Sequence, residues 1–418
     1  MLRRAGITLG HPWRWLGPLS RNFVQSFEGQ VRPRLRDVVR FLRNDPVFQR
    51  AWDRHGGRIA IGSWITGPQP MVPVAAASDW NVPRIESKAD LAAWLNLAAN
   101  ELDWFADLKG LNRKHPDSRL SHYHYTIQTK KNGQFRLIEA PKQHLMRIQR
   151  RILTDILNRI PAHPAAHGFV QGRSIKTFAA PHVGREVVLR MDIEDFFPSY
   201  PARRIQAFFR TIGYPESVAD ILGGLCTNPV HPDSWKTVLS SADPEGLKKK
   251  QRLYSRPHLP QGAPTSPALA NLCSYRIDCR LAGLAKSVGA SYTRYADDLA
   301  FSGNRDFAMR IERFSTSVAA ILLESGFAVN YHKTRIMRKG VRQRLAGLVT
   351  NERLNVAREE VNRLRAILTN CIRHGWQSQN RTGHANFQSH LDGKIGFVES
   401  IHAAKGSRLR KLFEQIRW

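Results

Sequence analysis

Three acids stand where a hard cation could be held. Asp192 follows the apolar run Val187 to Met191 in REVVLRMDIEDFFPS, and Asp297-Asp298 divide SYTRYADDLAFSG into two short aromatic-rich runs. The first pattern reads as a buried strand ending near Asp192, the second as a hairpin with both acids at its tip. Phosphoryl transfer to a nucleotide needs little covalent help from protein. It needs divalent metals that stabilise the attacking and leaving oxygens. Magnesium, oxygen-seeking and slow to dehydrate, is satisfied by one or two carboxylates plus substrate phosphates. Ordinary readings stand beside this one: Asp-Asp is common turn chemistry, and an Asp after a strand is a common cap. The metal reading requires the three to meet on adjacent strands, with no Arg or Lys salt bridge in the space for the ions.

Several elements must position such a set. In LPQGAPTSPALANL, Gln261-Gly262 open a turn into a helix whose Pro267 sits just inside its start. Glycine there lets backbone approach a nucleotide, and a helix N-terminus suits phosphate. HYHYTIQTKKNGQFRLIEAP alternates on both sides of Asn132-Gly133, a strong hairpin signal. SKADLAAWLNLAANELDWFADL has helical spacing with Ser87 as N-cap, and PARRIQAFFRTIG is a helix stopped by Gly213. HLMRIQRRILTDILNRI places Leu145, Ile148, Ile152, Ile156 and Ile160 on one face and Arg147, Arg150 and Arg151 between them. The stretch from Gly62 to Arg84 reads as a linker. Past Lys333 the pattern is mostly helical and basic. The sum is an α+β protein, a sheet layered with helices.

Composition narrows the partner. Sixty-four Lys and Arg against 34 Asp and Glu give the 418 residues a net charge of +30. Such a chain repels itself unless a polyanion is near, and nucleic acid is the usual one; a ribosomal-type binder or an anionic-membrane binder is the other reading. An apolar fraction of 42% excludes bulk disorder. Four cysteines, Cys226, Cys273, Cys279 and Cys371, lack C-x-x-C spacing, which argues against zinc or a disulfide framework and for a reducing cytoplasm. No apolar run approaches a membrane span. The first residues carry Arg3, Arg4, Arg14 and Arg21 with no acid before Glu28. Pro12, Trp13 and Pro18 break the amphipathic helix of a transit peptide, leaving a basic arm or a solvated extension.

Taken together, RMDIEDFFPSY, LPQGAPTSPALANL, YADDLAF and SGFAVNYHKTR resemble, in order and spacing, the palm motifs of reverse transcriptases. YADD, Tyr295 to Asp298, matches that family's Y-x-D-D box. The resemblance implies a right-hand polymerase with fingers, palm and helical thumb, an RNA-directed DNA polymerase. Asp192, Asp297 and Asp298 would be catalytic and would hold Mg²⁺ in a two-metal site, with Mn²⁺ a substitute and the Ile193 carbonyl a further donor. Phe197 would wall off a 2′-hydroxyl, although a core phenylalanine is the plain alternative. Lys131, Arg136, Gln261, Gly262 and Lys333 would bind the nucleotide, Arg136 by gripping the triphosphate and Lys333 beside the leaving pyrophosphate. Gly347 in LAGLVTNERLNVAR, with Arg363 and Arg365 beyond it, would contact RNA or primer.

The run HGFVQGRSIKTFAAPH is similar to an element of bacterial retron reverse transcriptases that carries an N-A-x-x-H signature. Ala179 and His182 are present, His182 on an RNA contact, while Phe178 replaces the asparagine. Leu345-Ala346-Gly347 stands where V-T-G is usual. The expected divisions are 1–83, an N-terminal extension and linker; 84–185, N-terminal helices and fingers; 186–340, the palm; and 341–418, primer grip and basic thumb. The resemblance spans roughly residues 84 to 418 and shows no endonuclease, RNase H or maturase tail. Expected partners are a structured noncoding RNA serving as template and primer, the RNA–DNA hybrid, dNTPs and an effector protein of a defence system, with no membrane. The expected role is msDNA synthesis in anti-phage defence; the alternatives are another defence-associated reverse transcriptase or a catalytically silent RNA binder of the same fold.

Overall fold

Strand β3 (Val187–Glu194) is buried on both faces along most of its length, as an almost unbroken apolar run requires. In the computed structural model it sits inside a mixed assembly of helices and antiparallel sheets. Residues 13–27, 35–56, 59, 70–111, 121–129, 135–238 and 244–418 are described. The chain divides into two units, Met1–Pro161 with Phe197–Cys273, and Ala162–Phe196 with Ser274–Trp418.

In the first unit, β1 (Tyr123–Thr129) and β2 (Phe135–Pro141) pair antiparallel from Tyr123↔Pro141 to Thr129↔Phe135. That register is the expected hairpin; Lys130, Lys131 and the Asn132-Gly133 turn lie outside the described residues. Helix Gln143–Asp155 buries Leu145, Ile148 and Ile152 as its spacing demands, and Ile156 and Ile160 stay buried past its end. Ser87 and Asp90 form a reciprocal capping box on helix Lys88–Leu95. Gly213 ends helix Ala202–Ile212 at φ +117°, and a Cβ there would lie 2.5 Å from the Pro73 nitrogen. The described end of the linker-like stretch therefore packs: Met71 and Ala77 are buried and Val72 donates to the Gly213 carbonyl. Near the N-terminus, Arg3 and Arg4 of the expected arm lie outside the described residues, and helices form at Leu16–Ser26, Leu35–Asn44 and Pro46–His55. Pro18 falls in a first turn, where its missing N–H costs nothing.

In the second unit, β4 (Ser291–Tyr295), β5 (Asp298–Gly303), β3 and β6 (Ala328–Val329) run in the order β4-β5-β3-β6, and β7 (Arg335–Arg338) also pairs with β3. Direct cross-strand partners share a face. Val188, Arg190 and Asp192 therefore share one face with Ser302, Ala300 and Asp298. Helix Ile175–Ala179, β8 (Arg344–Leu345) and β9 (Leu348–Val349) cover the lower half of that face through Phe178, Leu345 and Leu348. On the opposite face, Phe301 packs on Phe314 of helix Arg305–Glu324, and Tyr292 bonds Asp278 of helix Tyr275–Ser287. The region after Lys333 is not helical at once: β7 to β10 (Asn355–Val356) intervene, too short to show a period. Helices Arg358–His374, Phe387–Ile401 and Ala403–Phe413 then share a core of Leu364, Leu368, Leu391, Ile395 and Leu409.

Candidate active site

Register brings the three acids together. Asp192 is paired with Asp298 across β3 and β5, and Tyr295 with Asp298 across β4 and β5. Ala296-Asp297 form the two-residue connection, with Ala296 at φ +55°. The Ile193 amide donates to the Asp297 carbonyl at 2.9 Å, which seats the turn on the end of β3. Strand β3 continues to Glu194, two residues past the boundary expected at Asp192.

The expectation of a cluster clear of basic side chains is corrected. The Lys333 Nζ lies 2.9 Å from both Asp192 carboxylate oxygens, and Arg190 holds Asp298 with two nitrogens at 2.7 to 3.0 Å. Among the described residues, no three His, Cys, Asp or Glu side chains are grouped closely enough to hold a metal ion as they stand. The physical reason is charge. Carboxylates crowded at a sheet end repel, and Lys333 and Arg190 supply the counter-charge. Burial, then the charges of Asp192 and Asp298, push the Asp297 carboxyl up to about 6, Lys333 offsetting part of this. Burial also raises Asp298 despite Arg190. A trio of hard oxygen donors under mutual repulsion is the donor set a divalent cation neutralises, so these residues fit one. Both basic partners are partly exposed side chains, 40% for Lys333 and 31% for Arg190.

Gln261, Gly262, Arg136 and Phe197 belong to the first unit and the acids to the second. Gln261-Gly262 turn as expected before helix Ser266–Cys273. Gly262 takes φ +133°, and a Cβ would sit 3.0 Å from the Glu139 carbonyl. A buried network that sequence reading missed holds this turn. The Glu139 amide donates to the Gln261 carbonyl at 2.8 Å, while its carboxylate meets His258 at 3.0 Å and Asn228 at 2.7 Å. The other His258 nitrogen faces the Arg256 carbonyl at 2.7 Å. A carbonyl and a carboxylate both accept, so a doubly protonated ring satisfies both contacts. Burial pushes His258 down, but the Glu139 charge and hydrogen bond carry it above its ordinary value. A histidine raised on folding contributes stability that is full below its unfolded pKa and is lost as pH rises through the folded one. Glu139→Gln should therefore destabilise by roughly 3 kcal/mol at mildly acidic pH. The gap from wild type should close above the raised His258 pKa, which thermal melts across pH would reveal. Arg136 is exposed on β2; Phe197 is half-buried, while Phe196 takes the inward place beside Phe327.

His182 is corrected. Its ring is fully buried, with Nδ1 2.7 Å from the Ser302 hydroxyl and Nε2 2.8 Å from that of Thr293. Thr293 gives its own proton to the Phe178 carbonyl, so Nε2–H donates and Nδ1 accepts. Burial holds the ring down at about 3, hence neutral. Such a side chain braces strands and offers RNA no edge. Phe178, in place of asparagine, fills the same layer against His182 and Tyr295. Ala346 and Gly347, at φ +45° and +87°, form the tight turn joining β8 to β9. Arg363 and Arg365 are exposed on helix Arg358–His374, and Arg365 shares a groove with Arg358, Lys405 and Arg408. Arg294 was missed altogether. It is buried inside β4, ion-paired with Asp278 at 2.6 Å and bonded to the Ala296 carbonyl at 3.2 Å.

Among the described residues no helix is long and apolar enough to cross a membrane. Residues 128–365 match the family described as Reverse transcriptase (RNA-dependent DNA polymerase). The chain is 39% identical over 341 residues to the Retron Mx65 reverse transcriptase of Myxococcus xanthus, covering 81% of this chain and 73% of that protein. It is 36% identical over 340 residues to the Retron Mx162 reverse transcriptase of the same organism, covering 77% of this chain and 65% of that protein. With the Retron Ec86 reverse transcriptase of Escherichia coli it shares 29% over 287 residues, 68% of this chain and 78% of that one. A right-hand polymerase fold, a Y-x-D-D turn set on the central strand and these likenesses agree: the chain belongs to the retron reverse transcriptases, RNA-directed DNA polymerases of a family that uses divalent metal ions.

Proposed function

We propose that DNA synthesis runs at Asp192, Asp297 and Asp298, on a structured noncoding RNA that is both template and primer. The observation that carries the reading is the strand register, which sets Asp192 opposite Asp298 with Asp297 in the adjoining turn. These carboxylates, with the Ile193 carbonyl, would hold Mg²⁺ ions, or Mn²⁺ in their place. Bound there, such ions would supply charge stabilisation to the attacking and leaving oxygens. Lys333, exchanged off Asp192, serves the departing pyrophosphate. Lys131, Arg136, Gln261 and Gly262 bind the incoming nucleotide, and Gly347, Arg363 and Arg365 the primer or RNA. Backbone contact by the basic residues makes affinity fall steeply with salt. Residues 1–83 act as an extension, 84–185 as N-terminal helices and fingers, 186–340 as palm and 341–418 as primer grip and thumb. The product is msDNA, made in the cytoplasm for a phage-defence system with an effector protein.

Primer extension on an RNA template, by wild type and Asp297→Ala, tests this. Loss of incorporation in the variant is expected; equal incorporation removes the acids from the chemistry. The ion pairs on Asp192 and Asp298 favour a second reading, a silent RNA binder of the same fold, and an inactive wild type would select it. Phe197→Ala should relax discrimination against ribonucleotides by about tenfold or more, read as the ratio of kcat/KM for dNTP and NTP. Unchanged selectivity returns that ring to the core.

A further inference from the structure

Phe169 is an exposed aromatic ring held in place by an unusual amount of structure. The residue is 56% exposed, yet its backbone takes φ +59°, a conformation that costs a bulky residue energy. The ring lies 6.1 Å from that of Tyr295, whose other neighbour is the buried Phe178 at 5.8 Å. Gly168, the preceding residue, has no room for a side chain: a Cβ would lie 2.7 Å from the Ala296 nitrogen. The loop is bonded in both directions to β4, His167 N–H to the Arg294 carbonyl and Arg294 N–H to the Ala165 carbonyl, each at 2.7 Å. Arg173 ties the same loop from within, its Nη1 donating to the carbonyls of His163, Pro164 and Ala166 at 2.9, 3.0 and 2.5 Å. Backbone bonding, rather than burial, holds this ring beside Tyr295.

The register says where that tyrosine is. Tyr295 is the direct partner of Asp298, and Asp298 of Asp192, so the tyrosine shares the acids' face of the sheet. Phe169 lies beside that tyrosine, and Gly168 lies against the turn that carries Asp297. In a nucleotidyl transfer at these acids, the group beside them is the primer strand's reacting end, and a flat apolar ring suits the face of a nucleobase. We propose that Phe169 is a stacking platform for a base at the primer terminus, a positioning residue that presents the end of the strand to the acids. The proposal rests on the reading of Asp192, Asp297 and Asp298 as the site of chemistry, and its main readout needs no turnover.

The experiment uses the full chain with an RNA template and a DNA primer ending in a fluorescent adenine analogue that is quenched by stacking. Phe169→Asn removes the ring but keeps a residue that tolerates positive φ, and Phe169→Trp keeps a stacking surface. Wild type and Phe169→Trp should quench the terminal base on binding, and Phe169→Asn should not. Phe169→Asn should also raise KM for primer–template by about tenfold, with KM for dNTP unmoved. Quenching intact in Phe169→Asn overturns the proposal. So does equal loss in both variants, which would make the ring a brace for Tyr295, or a change confined to the dNTP KM. Should Asp297→Ala still incorporate while the quenching pattern holds, the acids' role fails and the platform stands.

Discussion

Asp297→Asn should cut primer extension by about a thousandfold or more and yet melt at a higher temperature than wild type in EDTA. The first effect follows from removing a charge that would hold the cations stabilising the transferring phosphoryl group, a contribution of several kcal/mol. The second follows from the acid cluster itself. Burial and the charges of Asp192 and Asp298 move the Asp297 carboxyl from an ordinary 3.8 up to about 6. The folded state thus favours the protonated acid. Its stabilising contribution is complete below about 3.8 and disappears as pH climbs through about 6, beyond which the ionised group costs roughly 2 to 3 kcal/mol. Asparagine imitates the neutral acid and escapes that cost, so a rise of a few degrees in Tm is expected near neutral pH, narrowing as pH falls toward 4. Adding Mg²⁺ should reverse the order by stabilising wild type more than the variant. A purely structural aspartate would lose activity and stability together. Loss of stability on Asp297→Asn therefore sinks the functional reading, whatever the extension assay shows.

The strand–acid–hairpin arrangement was legible because it rests on short-range signals. A buried strand is an apolar run, a hairpin is alternation around a turn, and register then follows from the turn. The partners of those acids were not legible. Arg190 alternates correctly within β3 and reads as one more polar position; only the diagonal across to Asp298 reveals its use. Lys333 was singled out from the family's spacing, but its bond to Asp192 spans 141 residues. His182 illustrates the opposite error. A motif histidine was read as a surface contact, whereas Ser302 and Thr293, both on strands far along the chain, enclose it. Likewise, the Glu139–His258–Asn228 network joins three segments, none of which signals the others. Runs as short as β8 and β9 carry no period, so the hairpin at Ala346-Gly347 showed only as a lone glycine.

Arg294→Met should be the most destabilising single substitution near the site, by roughly 3 to 5 kcal/mol, because it strands a buried carboxylate. The Asp278 and Arg294 side chains are 0% and 1% exposed and meet through two bonds, Nε to Oδ1 at 2.8 Å and Nη2 to Oδ2 at 2.6 Å. Tyr292 adds a hydroxyl to Oδ1 at 2.8 Å. An arginine in an aromatic-rich strand reads as a solvent-facing residue, and its partner lies 16 residues upstream on a helix, so nothing local announced the pair. Replacing both members by apolar side chains, Arg294→Met with Asp278→Leu, removes charge and partner together and should recover most of the lost stability. Activity should not follow. The Arg294 Nη1 also holds the Ala296 carbonyl, in a residue at φ +55° directly before Asp297, and the double variant removes this tether from the turn. Thermal melts and primer extension on the two single variants and the double decide the matter. Recovery of extension in step with stability would mean that the pair only glues the palm together; stability regained with kcat still depressed identifies Arg294 as the residue that aims the catalytic turn.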